Sequence, residues 1–395
     1  MVNNRISRLV KVLSGAATDA EDEIFLLENR LERLVHFWAL VIRQFIRHRC
    51  LALAVMLLFA LNLAKAADLK PACRGLMIRN YHPSEQIWPF IDSVVVDLGW
   101  NELETAADNF DGPGWATIEK ACKVSGLKIR LRILCGTHAP NFVKQLGGPG
   151  MSDSGHGTDC SKTGGIAIWN RHDSRGGSIP RFWTPEVMDR YERLMTEVAR
   201  RYENVPEICE VVAAGAMTLY AEPFYRAHID TGSNERLFKA GLNFEKDKAA
   251  HERVIRIHDK LFKKTRTSLA INAWDVIDAS ASHQRSDFKP VFEFANWARQ
   301  LMGQRLVLQN NGMGTDARWH GSPDSNHFCY LSNIEGPKGF QTRTLQRLGN
   351  NEVGLLKTLE ITVQMGANFV ELPNGYQTFS QAKLKDYDAK LRATK

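Results

Sequence analysis

The stretch "ICEVVAAGAMTLYAEPFYR" (208–226) opens with nine residues of which only Glu210 is charged. A strand with one wet face alternates apolar and polar residues. A run that does not alternate is buried on both faces, as in a parallel sheet covered by helices. Seven other runs share this character: "RGLMIRNY" (74–81), "DSVVVDLGW" (92–100), "LKIRLRILCG" (127–136), "TSLAINAW" (267–274), "RLVLQNNG" (305–312), "FCYLSNIEG" (328–336) and "ANFVELPNG" (367–375). Helical spacing fills the intervals at 115–125, 185–202, 235–262, 288–302 and 352–365, the second opened by Thr184 as N-cap and Pro185 in the first turn. Eight such units predict an α/β fold, a (β/α)8 TIM barrel over residues 67–395. A doubly wound sheet would more usually carry a glycine-rich phosphate turn after its first strand, and none is present.

Residues 1–66 form an N-terminal extension. Its apolar core, Leu51 to Leu63, follows the basic "RQFIRHR" (43–49) and ends at Ala64-Lys65-Ala66, the anatomy of a signal peptide cleaved after Ala66. The core is short for a membrane span of about 20 residues. The preceding segment is long for a signal peptide and includes the amphipathic "EDEIFLLENRLERLVHFWALVI" (21–42). The expected product is secreted or periplasmic. The alternative is an uncleaved signal anchor that associates with the membrane through residues 34–65.

The 395 residues are 44% hydrophobic and 24% charged, which places the bulk of the chain among globular proteins. The net charge of +7 comes from Lys and Arg interleaved with acids, without a basic tract, so nucleic acid is not an expected partner. Of seven cysteines, Cys50 falls in the leader. Among the other six, Cys135 and Cys160 are the first pair to test for a disulfide, against the reading that most are free buried thiols. No CxxC or CxxH spacing marks a zinc site. The loop after the third strand, residues 137–183, is rich in Gly and Ser and contains "GIAIWN" (165–170), which fits an ordered lid with a short strand.

Catalytic side chains in such barrels come from the C-terminal ends of strands. Acids at or just beyond those ends are Asp97, Glu102, Glu104, Glu222, Asp275, Glu335 and Glu371. Glycoside hydrolysis needs two carboxyl groups flanking one bond. Glu222 and Glu335, on the fourth and seventh expected strands, face each other across the mouth, and Tyr220, Pro223 and Phe224 would desolvate Glu222 and raise its pKa. An aromatic collar of Trp100, Trp169, Trp183, Tyr220, Trp274, Trp319 and Tyr376 suits the flat faces of sugar rings. Arg79, Asn80, His138, Asn272, Asn310, Asn333 and Asn374 add polar groups at strand ends.

"WNELETAADNFDGPGWATIEKACKVSGLKIRLRILCGTHAPNFV" (100–143) resembles the second and third β-α units of clan A glycoside hydrolases, in particular the family 42 β-galactosidases. The residues carrying the likeness are Trp100, Glu104, Phe110, Asp111, Ala139 and Pro140, and it continues through "FWTPEVMDRYERLMTEVARRYENVPEICEVVAAGAMTLYAEP" (182–223). The resemblance implies an acid/base at Glu222 and a nucleophile at Glu335, with Glu371 in reserve. One position departs from it: where the family has Asn directly before its acid/base, this chain has Ala221, so the family's substrate is not carried over.

The leading expectation is a retaining glycoside hydrolase acting on an oligo- or polysaccharide outside the cytoplasm, with no metal and no cofactor. A non-catalytic carbohydrate-binding barrel in polysaccharide export or assembly is the alternative. A third reading, a metal-dependent hydrolase using His138, His320, His327 and Asp275, lacks any HxH or HExxH spacing.

Overall fold

A computed structural model describes residues 69–224, 229–277 and 284–394. The leader, the amphipathic segment and Cys50 lie outside the described residues. Among the described residues, no helix is long and apolar enough to cross a membrane.

Among the described residues twelve strands follow in chain order. Eight of them, β1 (Gly75–Ile78), β2 (Ser93–Gly99), β3 (Lys128–Leu134), β6 (Ile208–Val212), β7 (Arg266–Ala270), β10 (Leu306–Met313), β11 (Lys338–Thr342) and β12 (Phe369–Leu372), close into one barrel. Every neighbouring pair is parallel, and β1 seals against β12 with Gly75 opposite Phe369 and Met77 opposite Glu371. The expected (β/α)8 barrel is therefore the observed one. Two antiparallel hairpins stand outside it, β4–β5 (Ile166–Asn170 with Arg175–Ile179) after β3 and β8–β9 (Trp274–Ile277 with Gln284–Asp287) after β7. The first occupies the loop expected to form a lid, and its leading strand is the "GIAIWN" segment.

Helix α1 (Pro185–Tyr202) begins where Thr184 and Pro185 predicted. The single helix expected over 235–262 is two, α2 (Thr231–Lys239) and α3 (Phe244–Leu261). Gly241, in the left-handed region at φ 88°, turns the chain, and Asn243 restarts it by accepting a hydrogen bond from the Lys246 N–H.

The seventh strand differs from expectation. "FCYLSNIEG" is mostly helix: α4 spans His327–Asn333 and buries Phe328, Cys329, Tyr330 and Leu331. The Asn326 carboxamide caps it, accepting from the Phe328 and Cys329 N–H groups at 2.8 and 3.1 Å. Asn caps and apolar residues spaced by three favour a helix over a strand here. The actual strand, "KGFQT" (338–342), has a glycine and three polar residues among five and gives little apolar signal.

The barrel interior is layered. Cys73, Met77, Val95, Cys209, Val307 and Phe369 pack its N-terminal end. Above them the core turns ionic. Arg130 reaches Glu371 and Glu210, both at 2.6 Å, and Gln309 at 2.8 Å. Arg132 grips both Glu371 oxygens at 2.6 Å and lies 3.3 Å from Asp97. Buried charges persist only when paired in this way. The final helix, α5 (Gln381–Ala393), fastens the start of the barrel: Asp388 accepts the Leu76 N–H at 2.8 Å, and Arg392 pairs with Asp92 at 2.9 Å.

All six described cysteines are free thiols, so the Cys135–Cys160 disulfide is not formed.

Candidate functional site

At the C-terminal end of the barrel a cleft of about 590 Å³ opens between the loops. Glu222 lines it, ten residues beyond the end of β6 and half-buried. The segment that carries Glu222 is pinned against the end of β3. The Thr137 N–H donates to the Thr218 carbonyl at 3.2 Å, and a Cβ added at Gly136 would lie 1.7 Å from that oxygen. Glycine is needed there because two backbones touch.

Desolvation pushes the Glu222 carboxyl up to about 7, against a hydrogen bond from Asn272 and the positive field of Arg132. The Asn272 amide nitrogen donates to Glu222 Oε1 at 3.2 Å, while its carbonyl oxygen accepts from Asn310 Nδ2 at 2.8 Å. Asn310 is fixed in turn: its Nδ2 also donates to the Ile271 carbonyl and its Oδ1 accepts from the Gly312 N–H. Because Asn310 occupies the Asn272 oxygen, Asn272 can face Glu222 only as a donor. An amide chain thus orients the acid.

Tyr220, two residues earlier, donates its hydroxyl to Asp173 and accepts from Asn170 Nδ2 at 2.9 Å. Arg175 covers the Tyr220 ring, 4.7 Å from its centroid. These partners belong to the β4–β5 hairpin, whose tip brings His172 and Asp173 into the cleft. From the opposite side, Arg347 on the loop after β11 donates to His172 Nε2. The seventh strand itself ends in Gln341 and Thr342, with Arg343 just beyond; all three line the cleft, and none of them is a carboxylate.

Among the residues expected at the site, Arg79, Tyr220, Glu222, Asn272 and Asn310 line the cleft. Arg79 is spent on the wall, donating to the carbonyls of Leu372 (2.6 Å) and Thr342 (2.6 Å) and to the Thr342 hydroxyl (2.8 Å). Glu335 lies elsewhere. It is exposed and precedes β11, so it belongs to the N-terminal end of a parallel barrel whose C-terminal end holds Glu222. The displacement follows from the helix at 327–333. Glu371 sits inside the wall, held below the ordinary carboxylate range by Arg132, Arg130 and Arg79 despite its burial.

The aromatic collar is largely structural. Trp100 is 1% exposed and donates to Glu104 at 2.7 Å; Trp274 is fully buried and donates to Asp247 at 3.0 Å. Trp169 stacks on His156, Trp183 packs edge-on against Phe182, Trp319 lies on His320, and Tyr376 meets Trp88 edge-on. Asn80 and His138 are exposed and do not line the cleft.

Asp173, His172, Gln341, Arg343 and Arg347 line the cleft without having been singled out. Asp173 and His172 lie in a glycine-rich loop without periodic signal. The other three become visible only once "KGFQT" is placed as the strand.

Among the described residues, one group of potential metal ligands converges: Asp153, His156 and Asp230. Arg236 already supplies positive charge there, 2.6 Å from Asp153. His138, His320, His327 and Asp275 do not gather around one point.

No family model matches the chain, and no curated protein matches it in sequence. Among solved structures it is similar to endo-glycoceramidase II from Rhodococcus sp., with 12% identity over 77% of this chain and 75% of that one at a TM-score of 0.42. It is also similar to a β-galactosidase from the psychrophilic Marinomonas ef1, with 12% identity over 80% and 59% at 0.41. D-allulose 3-epimerase from Methylomonas sp. gives 9% identity over 82% and 97% at 0.37. Likenesses this distant carry no argument about the reaction, which rests on the residues above.

Proposed function

We propose that the cleft receives a saccharide and that the chain hydrolyses a glycosidic bond there, with Glu222 delivering a proton to the leaving oxygen. The observation that carries this reading is a carboxyl group at the barrel mouth whose pKa of about 7 keeps it half protonated at neutral pH. A general acid works best when its pKa lies near the working pH. Around it Asn311 and Gln341 offer amide groups suited to sugar hydroxyls.

The two-glutamate scheme with Glu335 as nucleophile does not fit that residue's place in the fold. Asp173 is the other carboxylate lining the cleft among the described residues, and we assign the second role to it. Attack by Asp173 on the anomeric carbon would retain configuration, whereas activation of a water would invert it. Proton NMR of the first anomer released separates the two. The proposed setting, a glycan outside the cytoplasm, rests on the leader-like 50–66 segment; N-terminal sequencing of the mature protein and cell fractionation test it. The finer likeness to the family 42 barrels is likewise a proposal, resting on residues 100–143 and 182–223.

The decisive experiment is a panel of aryl glycosides and unactivated disaccharides assayed with wild type and Glu222→Gln. Loss of hydrolysis, more severe on the unactivated substrates, supports the assignment. Equal rates for both proteins would remove Glu222 from the mechanism. A second reading, saccharide binding without cleavage, is favoured by the absence of a carboxylate from Gln341-Thr342-Arg343 at the end of β11. Wild type that binds panel members and cleaves none would establish it.

A further inference from the structure

The charged side chains at the cleft are out of balance. At several other arginines of the surface a carboxylate partner is in place: Arg193 pairs with Asp108, Arg200 with Glu197 and Arg253 with Asp189. Arg347 lines the cleft, is exposed, and has no carboxylate partner among the described residues; its described contact is the His172 ring nitrogen. That nitrogen accepts and is not a carboxylate, so the contact leaves the guanidinium charge without a counter-anion. Arg343, four residues earlier on the same loop, spends Nε on the Gly312 carbonyl and Nη1 on Asp316, while Nη2 has no hydrogen-bond partner among the described residues. The facing carboxylates do not offset this. Asp173 is engaged by Tyr220 and lies 3.7 Å from Arg175, and Glu222 carries no charge when it is ready to donate its proton.

We propose that the saccharide taken by this cleft is acidic, and that Arg347, assisted by Arg343, receives an oxyanion on the sugar: a carboxylate, sulfate or phosphate. The inference rests on the saccharide reading of the cleft given above. A guanidinium presents paired donors in a fixed fork that matches such groups, and it is weakly hydrated enough to exchange a neutral partner for an anion. Binding transfers Arg347 from His172 to the ligand. The partially protonated Glu222 suits the same ligand, because an ionised carboxylate would repel an anionic sugar. His327 contributes a further polar group: it lines the cleft, and its buried Nδ1 has no hydrogen-bond partner among the described residues and can meet a ring hydroxyl.

The test is equilibrium binding of the full chain to 4-nitrophenyl glucoside, galactoside and mannoside, each against its own 6-carboxylate, 6-sulfate and 6-phosphate, with inorganic phosphate as competitor. At low ionic strength at least one acidic derivative is expected to bind about ten- to hundredfold more tightly than its neutral parent. The preference should shrink with added salt, disappear in Arg347→Gln, diminish in Arg343→Gln and return in part in Arg347→Lys. Which of the three oxyanions is preferred identifies the substituent. Equal affinity for neutral and acidic members overturns the acidic assignment and leaves the saccharide reading standing. Competition by phosphate alone as strong as by the acidic sugars, or binding to none of the panel, overturns both. An acidic preference untouched by Arg347→Gln removes the residue assignment.

Discussion

Replacing Glu222 with Gln should make the protein more stable at high pH, a result testable without knowing the substrate. In the folded chain burial raises this carboxyl from its ordinary 4.5 to about 7. The folded state therefore holds a proton that the unfolded chain releases. Glu222 contributes its full share of stability below pH 4.5, and that share is lost as pH rises through 7. A gap of about 2.5 in pKa, at about 1.4 kcal/mol each, sets an upper limit of about 3.5 kcal/mol. Because the side chain is only half-buried, about 2 kcal/mol is the expected size. Glutamine keeps the shape and the Asn272 contact but does not titrate. Urea unfolding of both proteins at pH 4, 5.5, 7 and 8.5, at constant ionic strength, isolates the difference, since all other groups cancel. The variant should gain about 2 kcal/mol on wild type between the lowest and highest pH. A flat difference, or one that grows toward low pH, would refute the claim that Glu222 is held protonated near neutrality.

Asn272→Ala removes the donor that favours the ionised acid, so carboxyl NMR should show Glu222 titrating above its wild-type value. Glu371→Gln leaves Arg130 and Arg132 without their shared anion inside the barrel and should cost about 3–5 kcal/mol in urea unfolding, a far larger effect than any exposed pair would give. Gly136→Ala forces a methyl group into the Thr218 carbonyl. It should cost more than about 2 kcal/mol and impair ligand binding, read together by thermal unfolding and titration, because the displaced segment carries Glu222. Thiol labelling of the native protein should reach half-buried Cys122 first among the described cysteines, with the other five reacting only on unfolding.

The barrel was legible because strands such as "DSVVVDLGW" and "ICEVV" are apolar without alternation, a pattern that few folds other than a covered parallel sheet produce; "KIRLRIL" alternates instead, because Arg130 and Arg132 enter the ionic interior. Glu222 was legible for a related reason, as a carboxylate just beyond such a strand. What the sequence obscured was the seventh strand. Its five residues are too polar to signal burial, and a capped helix with period-three apolar residues lies immediately upstream. That single displacement carried Glu335 to the wrong end of the barrel and hid Gln341 and Arg343. Trp100 and Trp274 misled differently: a tryptophan near a strand end can face the cleft or the helices, and only tertiary partners such as Glu104 and Asp247 decide which. The hairpin residues His172 and Asp173 reach the cleft through a turn that Asn170 organises by accepting both of their N–H groups. This local geometry leaves no periodic trace.

The seam between β1 and β12, with Asp388 grasping the Leu76 N–H some 312 residues away in sequence, has a consequence for biosynthesis. Until β12 has emerged from the ribosome, the nascent sheet has two unpaired edges, and only after it can α5 fasten the seam. Contacts this remote in sequence make folding slow, and open edges recruit foreign strands. A ribosome-stalled chain ending before residue 381 should depend on chaperones for its solubility, and the completed chain should not.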